Sequence, residues 1–115
     1  MQYILLIYAD ENRFQSMTPQ QIGEAVSAYG AYTEAVRQAG VLLASDRLRP
    51  TTTATTVRVD GGKTQVLNGP YAETKEQLGG FYLLDVPDLD AALSWAARCP
   101  GASYGSIEVR PVWTM

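Results

Sequence analysis

The chain has 115 residues, 46% of them hydrophobic and 18% charged, with nine basic against twelve acidic residues and a net charge of −3. A single domain typically holds about 100 to 150 residues, and this apolar fraction can bury a core, so we expect one folded domain over residues 1–115. The negative charge argues against nucleic-acid binding through phosphate contacts, for which a basic surface is needed.

The residue inventory excludes several kinds of catalytic site. The sequence has no histidine and one cysteine, Cys99, so it lacks the usual zinc and haem ligands, a disulfide framework and a Ser/His or Cys/His nucleophile pair. No flavin or nicotinamide motif is visible, and we expect no metal and no cofactor. Residues 1–8 lack the basic start of a signal peptide, and no apolar stretch approaches the roughly 20 residues of a membrane span. Both observations predict a cytoplasmic protein.

The first half of the chain predicts a strand, a helix and a second strand. Residues 3–8 are rich in β-branched and aromatic types, and both alternating faces are apolar. Thr18, Pro19 and Gln21 predict a capped helix start, and Gly40 suits its end. The apolar stripe of this helix is expected at Ile22, Ala25, Val26, Tyr29, Tyr32, Thr33 and Val36. Residues 41–48 predict the second strand.

The second half predicts a hairpin, a strand, a helix and a final strand. Asp60, Gly61 and Gly62 form a turn signal between alternating segments, so residues 54–67 predict a β-hairpin. Residues 80–86 predict a strand, and Asp88 is a natural N-cap for the next helix, which Pro100 stops. The buried face of this helix is expected at Leu89, Ala92, Leu93 and Ala96. Residues 104–112 predict the last strand.

This order is two βαβ units separated by a hairpin, which is typical of a ferredoxin-like α+β sandwich with an antiparallel sheet. Two helices cover one face of such a sheet, yet the first strand is apolar on both faces. We therefore expect a homodimer with facing sheets. The alternative is that the hairpin and the C-terminal residues 111–113 fold back over the open face.

Polar residues that could bind a ligand occur in three places, of which the first two are a loop and the last strand. The loop at residues 68–77 carries Tyr71, Glu73 and Lys75, which could hold an anionic substrate or form an exposed, salt-bridged loop. On the last strand, Glu108 and Arg110 alternate with the apolar Ile107 and Val109. They could line the space between two sheets or form an exposed ion pair.

A third group lies at the end of the first strand and on the first helix. Asp10 follows the strand and could act as a base or begin a turn, and Tyr8 could contact a ligand on the same side. Tyr29 brings a phenol toward the sheet, where an aromatic side chain on an apolar stripe is more often part of the core.

The chain resembles the YCII-related, or DGPF-domain, family over essentially its whole length. The resemblance rests on residues 3–10 (YILLIYAD), 68–76 (NGPYAETKE), 79–82 (GGFY), 95–100 (WAARCP) and 107–111 (IEVRP). It implies a dimeric α-β barrel built from ferredoxin-like protomers. Asn68 and Tyr71 stand where the family name expects aspartate and phenylalanine, whereas Gly69 and Pro70 are retained.

The resemblance also implies a catalytic pair, an aspartate at the end of the first strand and a histidine on the first helix. Asp10 matches the aspartate, and Tyr29 stands where the histidine would be. We therefore expect a small molecule in a polar cleft and a cofactor-free acid–base reaction with Asp10 as base and Tyr29 as its partner. The alternatives are an accessory protein of a transcription regulator such as a sigma factor, which the resemblance suggests, and a purely structural dimer.

Overall fold

The computed structural model describes residues 1–113, and its elements follow the predicted order with one additional short helix. Two 3₁₀ turns, Thr51–Thr53 and Pro100–Ser103, complete the backbone. The strands and helices are β1 (Gln2–Ala9), α1 (Asn12–Gln15), α2 (Pro19–Gln38), β2 (Leu42–Arg47), β3 (Thr55–Asp60), β4 (Lys63–Asn68), β5 (Gln77–Asp85), α3 (Leu89–Arg98) and β6 (Ser106–Pro111).

The main sheet has four antiparallel strands in the order β2-β5-β1-β6. β1 lies inside the sheet, where Leu5 pairs with Tyr82 of β5 on one side and with Val109 of β6 on the other. β5 lies between β1 and β2, and β1 lies between β5 and β6. The two strands of each βαβ unit are therefore separated by a strand of the other unit. This topology confirms the predicted ferredoxin-like α+β fold.

The core lies between the sheet and the two long helices. One face of β1, Tyr3, Leu5 and Ile7, is buried against this layer and is called the covered face. Leu5, Leu84 and Val36 are fully enclosed. The opposite face of β1, Ile4, Leu6 and Tyr8, is the open face and is only partly buried. The described residues therefore leave apolar side chains on a sheet surface without a second layer.

The helix starts are formed by the predicted capping residues. The Gln21 amide donates to Thr18 Oγ1 at 3.2 Å and the Thr18 amide donates to Gln21 Oε1 at 2.9 Å, which completes a capping box. Asp88 Oδ1 accepts from the Ala91 amide at 2.9 Å and caps α3. Gly40, with φ +74°, takes the left-handed conformation after α2.

The predicted helix faces are only partly correct. On α2, Tyr32 and Val36 are buried, whereas Ile22 and Val26 are 38% and 57% exposed. Val26 lines a cavity rather than packing against other side chains, and Ile22 lies one turn before that cavity along α2. On α3, the small residues Ala92 and Ala96 are buried, whereas the larger Leu89 and Leu93 are exposed. α3 thus contacts the core through its small side chains.

The hairpin of β3 and β4 forms a separate two-stranded sheet beside the main one. Gly61 and Gly62, with φ +57° and +78°, make the two-residue turn that the sequence predicts. Every residue of β4 is exposed. Trp113 is 91% exposed, and the Val112 amide donates to Gln2 O, which continues the pairing of β6 with β1. The alternative in which both segments cover the open face is therefore wrong for the described residues.

We expect Leu5→Ala to lower the free energy of unfolding by about 2–5 kcal/mol, because the side chain is fully enclosed and its removal leaves a cavity. The same substitution at Leu93, which is 46% exposed, should change the free energy by no more than about 0.5 kcal/mol. Urea unfolding followed by tryptophan fluorescence measures both. Equal losses for the two variants would contradict the assignment of the α3 faces.

Candidate functional site

A cavity of about 500 Å³ lies between the first half of α2 and the ends of β1, β2 and β5. This volume is in the usual range for small-molecule sites, about 300–1,000 Å³. Its apolar lining includes Ile7, Phe14, Ala25 and Val26, and its hydroxyl-bearing lining includes Tyr29, Thr33, Ser45, Tyr82 and Tyr104. The charged residues Glu11, Arg47 and Arg49 also line it. The cavity thus combines an apolar wall with polar groups.

Tyr29 extends from α2 to the turn that precedes β6. Its hydroxyl oxygen lies 3.7 Å from Cys99 Sγ, which donates to it. A Cβ atom at Gly101 would come within 2.5 Å of the hydroxyl oxygen, so only glycine leaves room for this phenol. Burial raises the pKa of Tyr29 above its usual value, and nearby Cys99 and Tyr104 add to the rise. Tyr29 is therefore a neutral hydrogen-bond donor at physiological pH.

Tyr104 is fixed beside Tyr29 by the chain before β6 and by α1. The guanidinium of Arg13 lies 4.2 Å from the centre of the Tyr104 ring. The Arg13 amide donates to Asp10 O at 3.1 Å, so the same residue also ties α1 to the end of β1. The phenols of Tyr29 and Tyr104 and the segment that carries Asp10 therefore meet at this end of the sheet.

Two further tyrosines stiffen the wall under the middle of α2. Tyr82 shares a 2.6 Å hydrogen bond with Thr33, and Tyr32 donates to Trp95 O at 2.7 Å. Their rings meet edge to face with centres 5.1 Å apart. Burial raises the pKa of Tyr32, and it also raises the pKa of Tyr82 although the Thr33 hydrogen bond opposes the rise.

Glu11 anchors the linker between β2 and β3 to the end of β1. Its carboxylate accepts from the Thr51 amide at 2.6 Å and from Thr51 Oγ1 at 2.7 Å. The Glu11 amide donates to Gln77 Oε1 at 2.9 Å, which ties in the start of β5. Three chain segments thus meet at one residue of the cavity wall. The sequence analysis missed Glu11, because its partner lies 40 positions away.

Asp10 and Tyr8, both predicted from the sequence, take different positions at the end of β1. Asp10 lies between the cavity-lining Ala9 and Glu11 but is not itself a lining residue. Its Oδ1 accepts from the Asn12 amide at 3.0 Å, so it also begins a turn. Tyr8 alternates with Ile7 and belongs to the open face, on the other side of the sheet from Tyr29.

The other predicted ligand residues lie outside the cavity. Tyr71, Glu73 and Lys75 are in the exposed loop after the hairpin. The centre of the Tyr71 ring lies 5.6 Å from the guanidinium carbon of Arg58. Both residues line a second, shallow recess of about 400 Å³. The structure does not bring this loop together with Tyr29.

The predicted pair on the last strand lies on the open face of the sheet. Glu108 and Arg110 form a solvent-accessible ion pair there. Ile107 and Val109 pack against the core, as the alternation along β6 predicts.

Residues 1–113 show no cluster of three or more His, Cys, Asp or Glu side chains that could hold a metal ion. A search of the same residues for a helix long and apolar enough to cross a membrane also finds none.

Comparison with known proteins places the chain in a family. A model described as the YCII-related domain matches residues 1–115. The chain belongs to the YCII-related family. An uncharacterised protein of Rhizobium meliloti is 42% identical to this YCII-related chain over 114 residues, which cover 97% of the chain and 92% of the relative.

A solved structure shares the fold. It is 5-chloro-2-hydroxyhydroquinone dehydrochlorinase from Burkholderia phenoliruptrix, in complex with 2,5-dihydroxybenzoquinone. The two chains superpose with a TM-score of 0.56 at 14% identity, over 99% of the YCII-related chain and 94% of the neighbour. At this identity the likeness establishes the fold.

We expect the free energy of unfolding to fall as the pH rises above about 10. Burial raises the pKa of Tyr29, Tyr32 and Tyr82 in the folded protein, so the unfolded chain loses these protons first and is favoured at high pH. Urea unfolding between pH 7 and 11 measures the fall. It should be smaller in Tyr29→Phe.

The matched control is Tyr71→Phe, because the Tyr71 side chain is 78% exposed and changes its surroundings little on folding. This variant should keep the pH dependence of the wild-type protein. The same pH dependence in Tyr29→Phe and wild type would contradict the burial effect assigned to Tyr29.

Proposed function

We propose that this protein binds a small molecule in the cavity between α2 and the sheet and promotes a proton transfer on it without a cofactor. The observation that carries the proposal is the half-buried, neutral Tyr29 hydroxyl in the wall of a cavity of about 500 Å³. An apolar wall with a few fixed polar groups is the usual composition of a site for a small organic ligand.

The residues suggest a division of roles in the reaction. Asp10 follows β1 at the rim of the cavity and accepts a proton from the bound molecule. The electron pair left behind moves onto a ligand oxygen, which becomes an oxyanion. Because the raised pKa keeps the Tyr29 proton in place, Tyr29 donates a hydrogen bond to this oxyanion rather than giving up its proton. Tyr29 thereby replaces the histidine that the family resemblance implies.

The structural neighbour suggests which ligands to try first. That enzyme is named as a dehydrochlorinase and was solved with 2,5-dihydroxybenzoquinone, a small ring bearing hydroxyl and carbonyl oxygens. Such a ring suits the two faces of this cavity, since Phe14 and Val26 supply apolar contact and Tyr29 and Tyr104 supply hydroxyl groups. We propose oxygenated six-membered rings as the ligand class to test.

We also propose that two chains form a homodimer through the open faces of their sheets. Ile4 and Leu6 of β1, together with Phe81 and Leu83 of β5, lie on this face and are only partly buried in one chain. A facing sheet would remove them from water. Tyr8, Glu108 and Arg110 would then line the space between the sheets.

A second candidate function is an accessory role for a cytoplasmic dimer that docks on a transcription regulator such as a sigma factor. The observation that favours it is the hairpin, which exposes Val57, Val59 and Val66 on one face. The loop that follows adds Tyr71, Glu73 and Lys75 as exposed polar contacts. This surface is separate from the cavity and needs no ligand.

The ligand proposal is tested by titrating 2,5-dihydroxybenzoquinone and 4-hydroxybenzoate into the protein by calorimetry. We expect Tyr29→Phe to weaken binding about tenfold, since a hydrogen bond to a charged oxygen contributes roughly 1.5–3 kcal/mol. Tyr71→Phe should leave the affinity unchanged, because Tyr71 lies outside the cavity. Failure of both compounds to bind at millimolar concentration, or equal affinities for Tyr29→Phe and wild type, would contradict the proposal.

The dimer proposal is tested by sedimentation equilibrium at micromolar concentration. We expect the wild-type protein to sediment at twice its chain mass of 12.5 kDa and Leu6→Asp to sediment as a monomer, because a carboxylate would be buried between the sheets. Leu93→Asp, on the exposed side of α3, is the control and should remain a dimer. A monomeric wild-type protein would rule out the facing-sheet arrangement.

A further inference from the structure

We propose that Arg47 and Arg49 make the cavity selective for an organic anion, whose carboxylate binds between the two guanidinium groups. This inference rests on the proposed binding function and adds the charge of the ligand and the residues that select it. Neither arginine was a candidate on sequence grounds, because a single chain carries many exposed arginines and the sequence does not show which ones share a cavity.

Strand geometry brings the two arginines to the same side. Arg47 ends β2 and pairs with Gly80 of β5, so it belongs to the covered face of the sheet. The Leu48 amide donates to Gly79 O at 2.9 Å, which continues the ladder by one residue. Side chains two positions apart in an extended chain point the same way, and both Arg47 and Arg49 line the cavity.

Both guanidinium groups have hydrogen-bonding capacity to spare. Among residues 1–113, Arg37 pairs with Glu34 and Arg110 with Glu108, whereas Arg47 and Arg49 form no salt bridge or side-chain hydrogen bond. A guanidinium carries five donors in a planar fork that matches the two oxygens of a carboxylate. The unused donors are therefore suited to an anion supplied by the ligand.

The acidic residues near the arginines do not take up these donors. Both oxygens of Glu11 accept from Thr51, at 2.6 and 2.7 Å. Asp46 alternates with Arg47 along β2 and pairs with Phe81, which places its side chain on the other face of the sheet. The Glu11–Thr51 contact also holds the linker that carries Arg49, so its backbone is held near the cavity before a ligand binds.

The surroundings suit an organic anion. Both arginines are exposed, so an anion can reach them from solvent. The Arg47 guanidinium lies 5.5 Å from the centre of the Phe14 ring, and Ile7 and Val26 also line the cavity, so apolar surface for the rest of the ligand lies next to the charge. A ring that lies on the apolar wall would bring a carboxylate at its edge to the two arginines.

Calorimetry with a pair of compounds of equal shape and different charge tests the inference. The probes are 4-hydroxybenzoate, an anion, and 4-hydroxybenzamide, its neutral analogue. We expect the wild-type protein to bind the acid at least about tenfold more tightly than the amide, and Arg47→Gln or Arg49→Gln to reduce this preference about tenfold. The affinity for the amide should change less than about threefold in these variants, because the neutral amide forms no ion pair with the guanidinium groups.

Arg58→Gln is the matched control, since Arg58 lies on the hairpin beside Tyr71, outside the cavity. It should retain the preference for the acid. Equal affinities for acid and amide in the wild-type protein, or an acid preference that survives both cavity substitutions, would overturn the inference while leaving the binding function intact. Failure of both probes to bind while 2,5-dihydroxybenzoquinone does bind would also overturn the inference alone, whereas failure of all three compounds would contradict the proposed function on which the inference rests.

Discussion

The position of β1 in the sheet is the constraint on which the other features depend. β1 is paired on both sides, and its covered face forms the centre of the core. The strand is flanked by glycines where other backbone comes close. A Cβ atom at Gly105 would lie 2.1 Å from Tyr8 O, and one at Gly80 would lie 2.9 Å from Asp46 O. Gly105 thus lets the turn before β6 approach the end of β1, and Gly80 lets β2 approach β5, next to the cavity that Gly80 itself lines.

The cavity exists because α2 is longer than the part of the sheet against which it packs. The second half of the helix packs through Tyr32 and Val36 onto the sheet, and the first half continues past the packed region. Its apolar residues Ile22 and Val26 remain partly in contact with water. The fold therefore leaves space next to the ends of the strands, and chain segments without regular structure close its sides. Such segments can carry binding groups without disturbing the core.

Local signals in the sequence were enough to predict the fold. The capping box at Thr18, the Asp88 cap and the Gly61–Gly62 turn depend on residues a few positions apart, and alternation along the strands identified the two faces of β1 and β6. The burial of whole helix faces was predicted less well. The exposure of Val26 and Leu93 depends on where each helix ends relative to the sheet, which periodicity does not report.

The candidate site was predictable from the sequence only in part. Asp10 and Tyr29 were candidates from their places at the end of the first strand and on the apolar stripe of the first helix, and the family resemblance added their roles as a pair. Glu11, Arg47 and Arg49 were missed because their significance depends on contacts between distant segments, such as the one between Glu11 and Thr51. Residue type gives no warning of these contacts, since glutamate and arginine also occur at many positions outside the cavity.

The burial of Cys99 has a consequence for the chemistry of the whole protein. The thiol is almost completely enclosed, and burial raises its pKa although its hydrogen bonds with Gly101 and Tyr29 oppose the rise. A protonated, enclosed sulfur reacts poorly with oxidants and alkylating reagents. Because the sequence has no other cysteine, modification by such a reagent occurs when the core opens. The single thiol is thus an intrinsic reporter of how often this protein opens and closes.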